Sequence, residues 1–374
     1  MERRTGTAIV GAGILGLAHA FQAAQPGQAV TVFDRSLRPA GASVRNFGMI
    51  WPVGQAPGPV HQIAIRSRAI WAELLERARI PHFAHGSLHA VYREDEAAVA
   101  QEFAELGPQQ GYRVVWQTPR QLLDRSPALV PEGLRGGLWS AEEIVVDPRL
   151  ALPALASFLA EQYGVEFRWG EAVTEVQTGR LRAAGDWWRA DRIIICSGDD
   201  FETLLPRQFR LTGLTRCKLQ MLRTVPQPPG WSLGPALAGP LTLRFYPAFR
   251  ICPSLPRLAA RIAEETPELD RWGIHILASP TQDGAVTLGD SHEYGLAVDI
   301  FDREEVEALI LREADRFLAL PCRQIAERWH GVYAKHPEAP WIRLDPEPGV
   351  TVVTGLGGSG MTLAFGLVEK TFAP

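Results

Sequence analysis

The chain has 374 residues, of which 46% are hydrophobic and 21% charged, so it is long enough for about two globular domains. Its 38 basic and 42 acidic side chains give a net charge of −4, which offers no broad attraction to nucleic acid or anionic lipid. The four cysteines, Cys196, Cys217, Cys252 and Cys322, are far apart and form no Cys-x-x-Cys pair. We therefore expect a cytoplasmic protein that acts on a small molecule, with no metal site, nucleic-acid partner or membrane span.

The first predicted elements are a strand, a glycine-rich turn and a helix. The apolar residues 7–10 lead into Gly11, Gly13 and Gly16, which have the spacing Gly-x-Gly-x-x-Gly. The first glycine permits a tight turn, the second lets a pyrophosphate approach the backbone, and the third lets the helix pack on the strand. A second strand ends in Asp34, about twenty residues further on, where an acid can hydrogen-bond ribose hydroxyls. This context predicts a dinucleotide site.

The same stretch can also be interpreted as a secretory signal peptide. Arg3 and Arg4 precede the apolar run, and Ala18-His19-Ala20 has the small-x-small form of a cleavage site. Cleavage there would remove the strand and all three glycines, an arrangement that a mature secreted protein does not need. We therefore expect this stretch to be a nucleotide-binding turn. N-terminal sequencing of the natively expressed protein distinguishes the two interpretations, because it shows whether residues 1–20 are present.

Two later segments extend the predicted cofactor site. Residues 38–49 combine small side chains with the hydrogen-bond donors Ser43, Arg45 and Asn46, which could reach phosphate and ring oxygens. Residues 191–198 are a buried strand that ends in small residues, so the backbone can again approach a ligand.

A second glycine-rich helix start lies near the C-terminus. The strand at residues 350–354 runs into the glycine-rich segment 355–362, and a helix follows to about Thr371. Two such helix starts are more than an NAD site needs, whereas FAD is long enough to use both. The first would hold the pyrophosphate, and the second would direct N–H groups at the flavin C2 carbonyl, where negative charge collects on reduction.

The middle of the chain predicts a second sheet. Residues 241–249, 272–279 and 285–289 are predicted strands, and the Pro- and Gly-rich residues 226–240 are a predicted loop. Two amphipathic helices are also predicted. One covers residues 61–79, with Ile63, Ile70, Trp71, Leu74 and Leu75 on one face, and the other covers residues 302–318, with Asp302 as its cap.

In this order the segments resemble the D-amino-acid oxidase, glycine oxidase and sarcosine oxidase superfamily of flavoproteins, over nearly the whole chain. More narrowly, residues 41–48, 245–250 and 289–295 resemble a bacterial clade associated with phosphonate breakdown, whose members are implicated in oxidising aminophosphonates. The resemblance implies an α/β plus α+β fold, with a discontinuous Rossmann-like FAD-binding domain and a mainly antiparallel-sheet substrate domain. We expect the first from residues 1–85, 142–210 and 325–374, and the second from 86–141 and 211–324.

The resemblance implies an FAD-dependent amine oxidase. A hydride would pass from the alpha carbon of a small acidic amine to flavin N5, water would hydrolyse the imine, and O2 would reoxidise the flavin to give H2O2. An N-methylated 2-aminoethylphosphonate is favoured over a D-amino acid, glycine or sarcosine. The alternatives are a dehydrogenase that passes electrons to a quinone, and a flavin-bearing binding protein without turnover. The oligomeric state stays open.

The residues expected to bind FAD lie in the segments described above. They are Gly11, Gly13, Ile14, Leu15, Gly16, Asp34, Arg35, Ala42, Ser43, Arg45, Asn46, Gly48, Val173, Ser197, Gly198, Gly355, Gly357, Gly358, Ser359, Gly360, Met361 and Thr362.

Three departures from the sarcosine oxidase branch modify this expectation. That branch tethers flavin through a cysteine two residues before a tyrosine, and the matching segment here, Gly331-Val332-Tyr333, has no sulfur. Non-covalent FAD follows, with Cys322 as a structural residue. The oxygen-activating lysine of that branch falls at Thr287, and its substrate-anchoring lysine falls at Thr362. Use of O2 is therefore a weaker expectation than amine oxidation, and another group must bind the acid.

The remaining candidate residues are those expected to act on the substrate or to bind it. Tyr333, Thr287 and Met49 are the candidate catalytic residues. Arg250, Lys335, His275 and His292 are the candidate substrate-binding residues, since a guanidinium suits paired oxygens and the other three are cationic or polar. Each of these four has a plain alternative, as a solvated or structurally hydrogen-bonded side chain.

Overall fold

The computed structural model describes residues 3–372, which form twenty strands and eleven α-helices. The strands are β1 Arg3–Val10, β2 Val30–Asp34, β3 Met49–Ile50, β4 His82–Phe83, β5 Ser87–Val91, β6 Val114–Gln117, β7 Gly136–Ser140, β8 Ile144–Val146, β9 Glu166–Trp169, β10 Val173–Gln177, β11 Arg180–Ala183, β12 Asp186–Ile195, β13 Thr215–Thr224, β14 Ala236–Ala238, β15 Leu277–Pro280, β16 Val286–Gly289, β17 Glu293–Gly295, β18 Ile325–Lys335, β19 Ile342–Glu347 and β20 Val350–Thr354. The helices are α1 Ile14–Ala23, α2 Pro59–Arg77, α3 Glu94–Leu106, α4 Pro119–Arg125, α5 Pro148–Tyr163, α6 Pro206–Arg210, α7 Thr242–Phe245, α8 Leu255–Glu265, α9 Pro267–Arg271, α10 Glu304–Asp315 and α11 Gly360–Thr371.

The first sheet has eight strands and carries the glycine-rich turn. Its order is β10-β11-β12-β1-β2-β9, with β20 also paired to β12 and β19 to β20. Strands β9, β2, β1, β12 and β20 run parallel. Ala8 on β1 lies between Thr31 on β2 and Ile193 on β12, so β1 is central. Burial on both faces explains why residues 7–10 are nearly all apolar.

Helices α1, α2, α5 and α11 pack on one face of this sheet in a shared apolar core. Trp71 on α2 meets Phe365 on α11 edge to face, with ring centroids 5.0 Å apart. Gly366 lets these two helices approach closely, because a Cβ there would lie 2.2 Å from the carbonyl oxygen of Ile63. The predicted helix over residues 61–79 is confirmed as α2, with its predicted apolar face buried.

The second sheet has nine strands, in the order β17-β13-β16-β15-β14-β5-β7-β6, with β18 also paired to β13. Its pairs are antiparallel except for β14 with β5. A large apolar core that includes Phe103, Phe249 and Phe317 packs against it. A third, small sheet joins β3, β8 and β4. The predicted fold class is confirmed: a Rossmann-like sheet with a second, mainly antiparallel sheet.

One predicted segment boundary is wrong. Residues 325–335 were expected with the FAD-binding domain, but β18 pairs along its length with β13 of the second sheet, where Tyr333 lies opposite Cys217. The second sheet therefore carries Tyr333 and Lys335 to the edge of the first.

Two predicted elements also differ from the structure. Residues 241–249 were expected to be a strand, but they form α7 and a 3₁₀ turn, Pro247–Ile251, because Thr242 hydrogen-bonds back to Gly239 and the chain turns at once. The predicted loop over residues 226–240 contains the short strand β14.

The helix predicted over residues 302–318 is confirmed as α10, but Asp302 does not cap it. Its carboxylate pairs instead with Lys218, at 3.0 Å, and with His330, at 2.9 Å. Among residues 3–372, no helix has both the length and the apolar character that crossing a bilayer requires.

Candidate active site

A cavity of about 980 Å³ lies between the glycine-rich edge of the first sheet and the face of the second. This volume is at the upper end of the usual range for ligand sites. Most predicted cofactor residues line it, namely Gly11, Gly13, Ile14, Leu15, Asp34, Arg35, Ala42, Ser43, Arg45, Asn46, Val173, Ser197, Gly198, Gly355, Gly357, Gly358, Ser359, Gly360, Met361 and Thr362.

The turn between β1 and α1 leaves the start of the helix open to this cavity. Gly11 has φ +100°, and a Cβ there would lie 2.4 Å from the carbonyl oxygen of Cys196. Gly13 is the N-cap of α1 and offers no side-chain cap, and its own Cβ would lie 3.0 Å from Ser43 Oγ. The Ile14 N–H donates to Ser43 Oγ at 3.0 Å, which brings a hydroxyl to the helix start. Such a start favours a bound phosphate.

Gly16 and Gly48, both predicted to bind the cofactor, do not line the cavity. A Cβ on Gly16 would lie 1.8 Å from the carbonyl oxygen of Gly11, and one on Gly48 would lie 1.8 Å from that of Val146. Both glycines instead allow two backbone segments to pack closely. Gly48 also has φ +70°, in the left-handed region that favours glycine.

Asp34 holds the glycine turn in place at the end of β2. Its Oδ2 accepts a hydrogen bond from the Ala12 N–H at 2.7 Å, and its Oδ1 accepts one from the Ser36 N–H at 2.8 Å. A carboxylate has about four acceptor positions, so two remain for ribose hydroxyls. Arg35 lines the cavity, but its guanidinium pairs with Asp200 at 2.7 Å.

The loop at residues 41–48 is held by Asn46, which was predicted to donate to the cofactor. Its Nδ2 donates to the carbonyl oxygens of Ala42 and Ser43, both at 2.9 Å, and its Oδ1 accepts from the Gly48 N–H at 2.7 Å. Both donors are thus used within the loop, and Asn46 shapes the cavity wall without a free N–H to offer. Arg45 links the loop to β18 through the His330 carbonyl, at 3.4 Å.

The start of α11 opens on the same cavity. Gly357–Ser359 form a 3₁₀ turn, and Ser359, the N-cap of α11, gives no side-chain cap. This turn lies against β18, since a Cβ on Gly358 would be 3.5 Å from the hydroxyl of Tyr333. Thr362 Oγ1 accepts from the Trp51 N–H at 2.9 Å, so that hydroxyl is already engaged.

These features fit an FAD. Two helix starts without side-chain caps, one at each end of the described chain, line a single cavity. Their positive dipole ends suit the pyrophosphate at α1 and the electron-rich side of a flavin at α11. The glycines at both starts leave the backbone accessible to a ligand.

The second sheet supplies the opposite wall. Tyr333 and Lys335 on β18 line the cavity, as do Arg250, His275 and His292 from segments beside that sheet, and Met49 lines it from β3 of the third sheet. Thr287 does not, so the structure gives no support for a catalytic role. Met221 and Leu277, which line the cavity, pair with Gly289. Thr287 lies two residues before Gly289 on β16, on the same face, and pairs with Arg223 and Ser279.

The two cations of this wall lack carboxylate partners among residues 3–372. Lys335 Nζ lies 3.3 Å from the Tyr294 hydroxyl and 4.9 Å from the centre of that ring. Burial lowers the pKa of the Lys335 ammonium, and repulsion by Arg250 acts in the same direction. The exposed Arg250 guanidinium has no hydrogen-bond or ion-pair partner in the described part of the chain. Both cations are thus available to an anionic ligand.

A buried cluster that the sequence did not predict lies deeper in this wall. Asp290 sits between His275 and His292, with Oδ1 3.4 Å from His275 Nε2 and 3.9 Å from His292 Nδ1. Neither ring nitrogen of His275 has a hydrogen-bond partner in the described structure, and neither has Asp290 Oδ1. The polar atoms of all three side chains lie within 4.8 Å of one another.

Burial dominates the protonation of this cluster. It raises the pKa of the Asp290 carboxyl well above its usual range and lowers the pKa of the His275 imidazole well below its own. It also lowers the pKa of His292 to about 3, although His292 Nδ1 hydrogen-bonds the carbonyl of Gly273 at 3.0 Å. Burial likewise raises the pKa of Tyr333. Each of these groups is therefore biased toward its neutral form.

Aromatic rings complete the wall, and they too were missed as site residues. Phe245 lies 3.9 Å from the His275 ring and 4.5 Å from the His292 ring, centroid to centroid, and Tyr246 lies 5.7 Å from His275. Both residues line the cavity. Residues 245–250 and 289–295 were singled out by resemblance, which was the available signal, but it did not identify Asp290.

Comparison with known proteins agrees with this geometry. A family model described as FAD dependent oxidoreductase, DAO, matches residues 7–371. The glycine oxidase of Geobacillus kaustophilus (strain HTA426) is 27% identical over 213 residues, and the match spans about half of each protein, 53% of this chain and 55% of that enzyme.

Two solved structures share the fold. The crystal structure of glycine oxidase from Geobacillus kaustophilus superposes with a TM-score of 0.78 at 19% identity, covering 98% of this chain and 94% of that one. That of L-proline dehydrogenase from P. horikoshii gives 0.77 at 17% identity, covering 99% and 92%. Since the family model spans nearly the whole chain, this protein belongs to the DAO family of FAD-dependent oxidoreductases.

Proposed function

We propose that this oxidoreductase is an amine oxidase whose substrate is a small amine bearing an acidic group. When bound, the flavin supplies the hydride acceptor for the carbon next to the substrate nitrogen. The observation that carries the proposal is the pair of cations, Arg250 and Lys335, that lie on the wall opposite the predicted flavin site without carboxylate partners among residues 3–372. The name of the related glycine oxidase supports an amino compound as substrate.

The acidic group would lie between these two cations. Arg250 offers a planar fork of donors and Lys335 a compact ammonium, and both shapes suit carboxylate or phosphonate oxygens. Since Arg250 already lowers the pKa of Lys335 by repulsion, an anion between them relieves an unfavourable contact. A phosphonate carries more charge and one more oxygen than a carboxylate, so we favour an aminophosphonate such as an N-methylated 2-aminoethylphosphonate.

The other residues of the wall would position the amine. Phe245, Tyr246 and Tyr333 would give the cavity an aromatic surface that excludes water from the reacting carbon, and Met49 lines it from β3 of the third sheet. A substrate carbon held in line with the hydride acceptor reacts as if both groups were present at a much higher concentration. No strong base is needed at the carbon if its hydrogen leaves as hydride, with both electrons of the C–H bond.

The electron acceptor is proposed separately. O2 is the favoured acceptor, which gives H2O2. A dehydrogenase that reduces a quinone is the second candidate, because Thr287 stands where the related branch uses a lysine and does not line the cavity. Peroxide formed in proportion to turnover in air supports the oxidase. A substrate-reduced flavin that air reoxidises only slowly supports the dehydrogenase.

We also propose that FAD is bound without a covalent bond. Cys322 does not line the cavity, and its backbone is held by the side chain of Gln227. Cys196 does line it, but its sulfur lies 3.6 Å from His19 Nδ1 in the core beneath the sheet. Acid precipitation should leave all flavin in the supernatant, and a yellow pellet would contradict this assignment.

The test is anaerobic reduction of the flavin by matched amines that carry a phosphonate, a carboxylate or no acid. We expect acidic amines to bleach the wild-type flavin, and Arg250→Ala and Lys335→Ala each to weaken their apparent affinity by about 10- to 100-fold. Arg257→Ala removes an exposed arginine that does not line the cavity and is the matched control. If no amine bleaches the flavin, the protein is a flavin-binding protein without this activity. Unchanged affinity in both variants would remove the two cations from the site.

A further inference from the structure

The proposed function gives the cluster of Asp290, His275 and His292 no role in anion binding or in the hydride step, yet the cluster lines the same cavity. A carboxylic acid buried with an unpartnered oxygen is costly unless a ligand supplies the missing hydrogen bond. The two imidazoles approach that oxygen at 3.4 and 3.9 Å, too far for well-formed hydrogen bonds. The geometry therefore leaves one acceptor on Asp290 unused in the described structure.

An amine substrate raises a chemical requirement that this acceptor meets. At neutral pH a simple amine is an ammonium ion, which has no free electron pair to assist hydride loss from the neighbouring carbon. The ammonium must therefore lose a proton before the hydride can leave. Asp290 would meet the ammonium as a carboxylate and is suited to take that proton, because burial raises the pKa of its carboxyl and so favours the protonated product of the transfer.

We propose that Asp290, whose backbone N–H and carbonyl pair with those of His275, accepts a hydrogen bond from the ammonium group of the substrate and then its proton before hydride loss. This inference rests on the proposed function and assigns its second binding point. One N–H bond breaks, one O–H bond forms on the Asp290 carboxylate, and the electron pair stays on the substrate nitrogen. Phe245 and Tyr246 line the cavity beside this cluster, 3.9 and 5.7 Å from the His275 ring, and aromatic rings suit a nearby cation.

The proposal makes the cavity bipolar. Arg250 and Lys335 hold the acidic end of the substrate, and Asp290 holds the amine end, so the reacting carbon is fixed from both sides. The charged and titratable groups that act on this cluster come from several elements around it. They are Cys217, Lys335 and Tyr333 on β13 and β18, Tyr294 on β17, and Arg244 and Tyr246 on and after α7.

The principal test compares the pH dependence of anaerobic flavin reduction for two acidic amines that differ in amine pKa. If Asp290 takes the proton, the rise of kcat/KM with pH occurs at the same pH for both amines in the wild type. In Asp290→Asn the rise should instead follow the pKa of each amine, because only amine already deprotonated in solution reacts. We expect the variant to be about 10²- to 10³-fold slower near neutral pH.

Asp299→Asn is the matched control, since Asp299 pairs with Arg303 at 3.2 Å and does not line the cavity. Binding of a thioether acid, with sulfur in place of the N–H, adds a readout independent of turnover. Its affinity should be the same in wild type and Asp290→Asn. If Asp290→Asn does not fold, the wild-type comparison of the two amines still decides.

Several results would overturn the proposal. A wild-type rise that moves with the pKa of the amine would exclude a base in the protein, while leaving the amine oxidase intact. One equivalent of zinc or iron, bound by the wild type and lost in Asp290→Asn, would make the cluster a metal site instead. Failure of every acidic amine to bleach the wild-type flavin would remove both this inference and the proposed function.

Discussion

The two walls of the cavity are built in different ways. The wall that the first sheet provides consists mostly of backbone and glycine, and its polar side chains are largely satisfied, as with Asp34 and Asn46. The wall that the second sheet provides consists of side chains, and several of their polar atoms have no partner among residues 3–372, as with His275 and Asp290. Polar groups whose hydrogen bonds are all made within the protein hold the shape of the cavity. Buried polar groups without a hydrogen-bond partner are available to a ligand.

The largest expected effects come from adding side chains to the glycines of the wall that the first sheet provides. Gly13→Val places branches into the space that a phosphate would occupy, so we expect a folded protein that loses essentially all FAD. Gly16→Ala has a different result, because its Cβ meets the Gly11 carbonyl at 1.8 Å and must push α1 from the sheet. We expect a large loss of thermal stability there. Flavin absorbance per chain and thermal unfolding measure the two effects, and FAD retained by Gly13→Val would contradict the placement of the phosphate site.

The second prediction concerns the wall that the second sheet provides, and the pH dependence of anion binding at Lys335. The Lys335 ammonium is charged below its pKa, which burial lowers from the usual 10.5. Affinity for an acidic thioether should therefore weaken as pH rises through this lowered pKa, at lower pH than for an ordinary lysine. Lys335→Arg should move that loss to higher pH, because a guanidinium stays charged. The measurement is the dissociation constant against pH, and identical curves for both proteins would exclude Lys335 as the titrating group.

The third prediction concerns a buried histidine in the half that carries the first sheet. Burial lowers the pKa of His19 to about 4, from 6.5, although its Nδ1 is hydrogen-bonded to the Leu15 carbonyl at 2.7 Å. The unfolded chain therefore binds the proton first as pH falls. The stabilising contribution is complete above pH 6.5 and is lost between 6.5 and about 4, by up to about 1.4 kcal/mol per pH unit.

His19→Leu should flatten the pH dependence of the free energy of unfolding by about one proton in that window. His85→Leu removes an exposed histidine and should leave the slope unchanged. Urea unfolding at several pH values measures both, and equal slopes in His19→Leu and wild type would show that His19 is not buried in its neutral form.

The contrast between the walls also explains what could be predicted from sequence. The glycine turn, the strand before it and the acid after it are local in sequence and have a fixed spacing, so Gly11, Gly13 and Asp34 could be assigned directly. The roles of Asn46 and Gly48 were harder to predict. Their partners, Ala42, Ser43 and Val146, depend on the conformation of a loop and on a contact with β8.

The substrate wall depends on strand register between distant segments. Tyr333 lies opposite Cys217, more than a hundred residues earlier, and no local pattern specifies that pairing. Asp290 meets His275 and His292 only because the ends of β15 and β16 lie side by side. Polar residues that the sequence presents singly thus become a cluster through the fold.

The most direct test of the whole account is a comparison of one small amine acid with its uncharged amide, each mixed anaerobically with the FAD-loaded wild-type protein. The cations Arg250 and Lys335 predict rapid bleaching of the flavin by the acid and bleaching at least about 10-fold slower by the amide. Equal rates for the two compounds would contradict recognition of an acidic amine at this cavity.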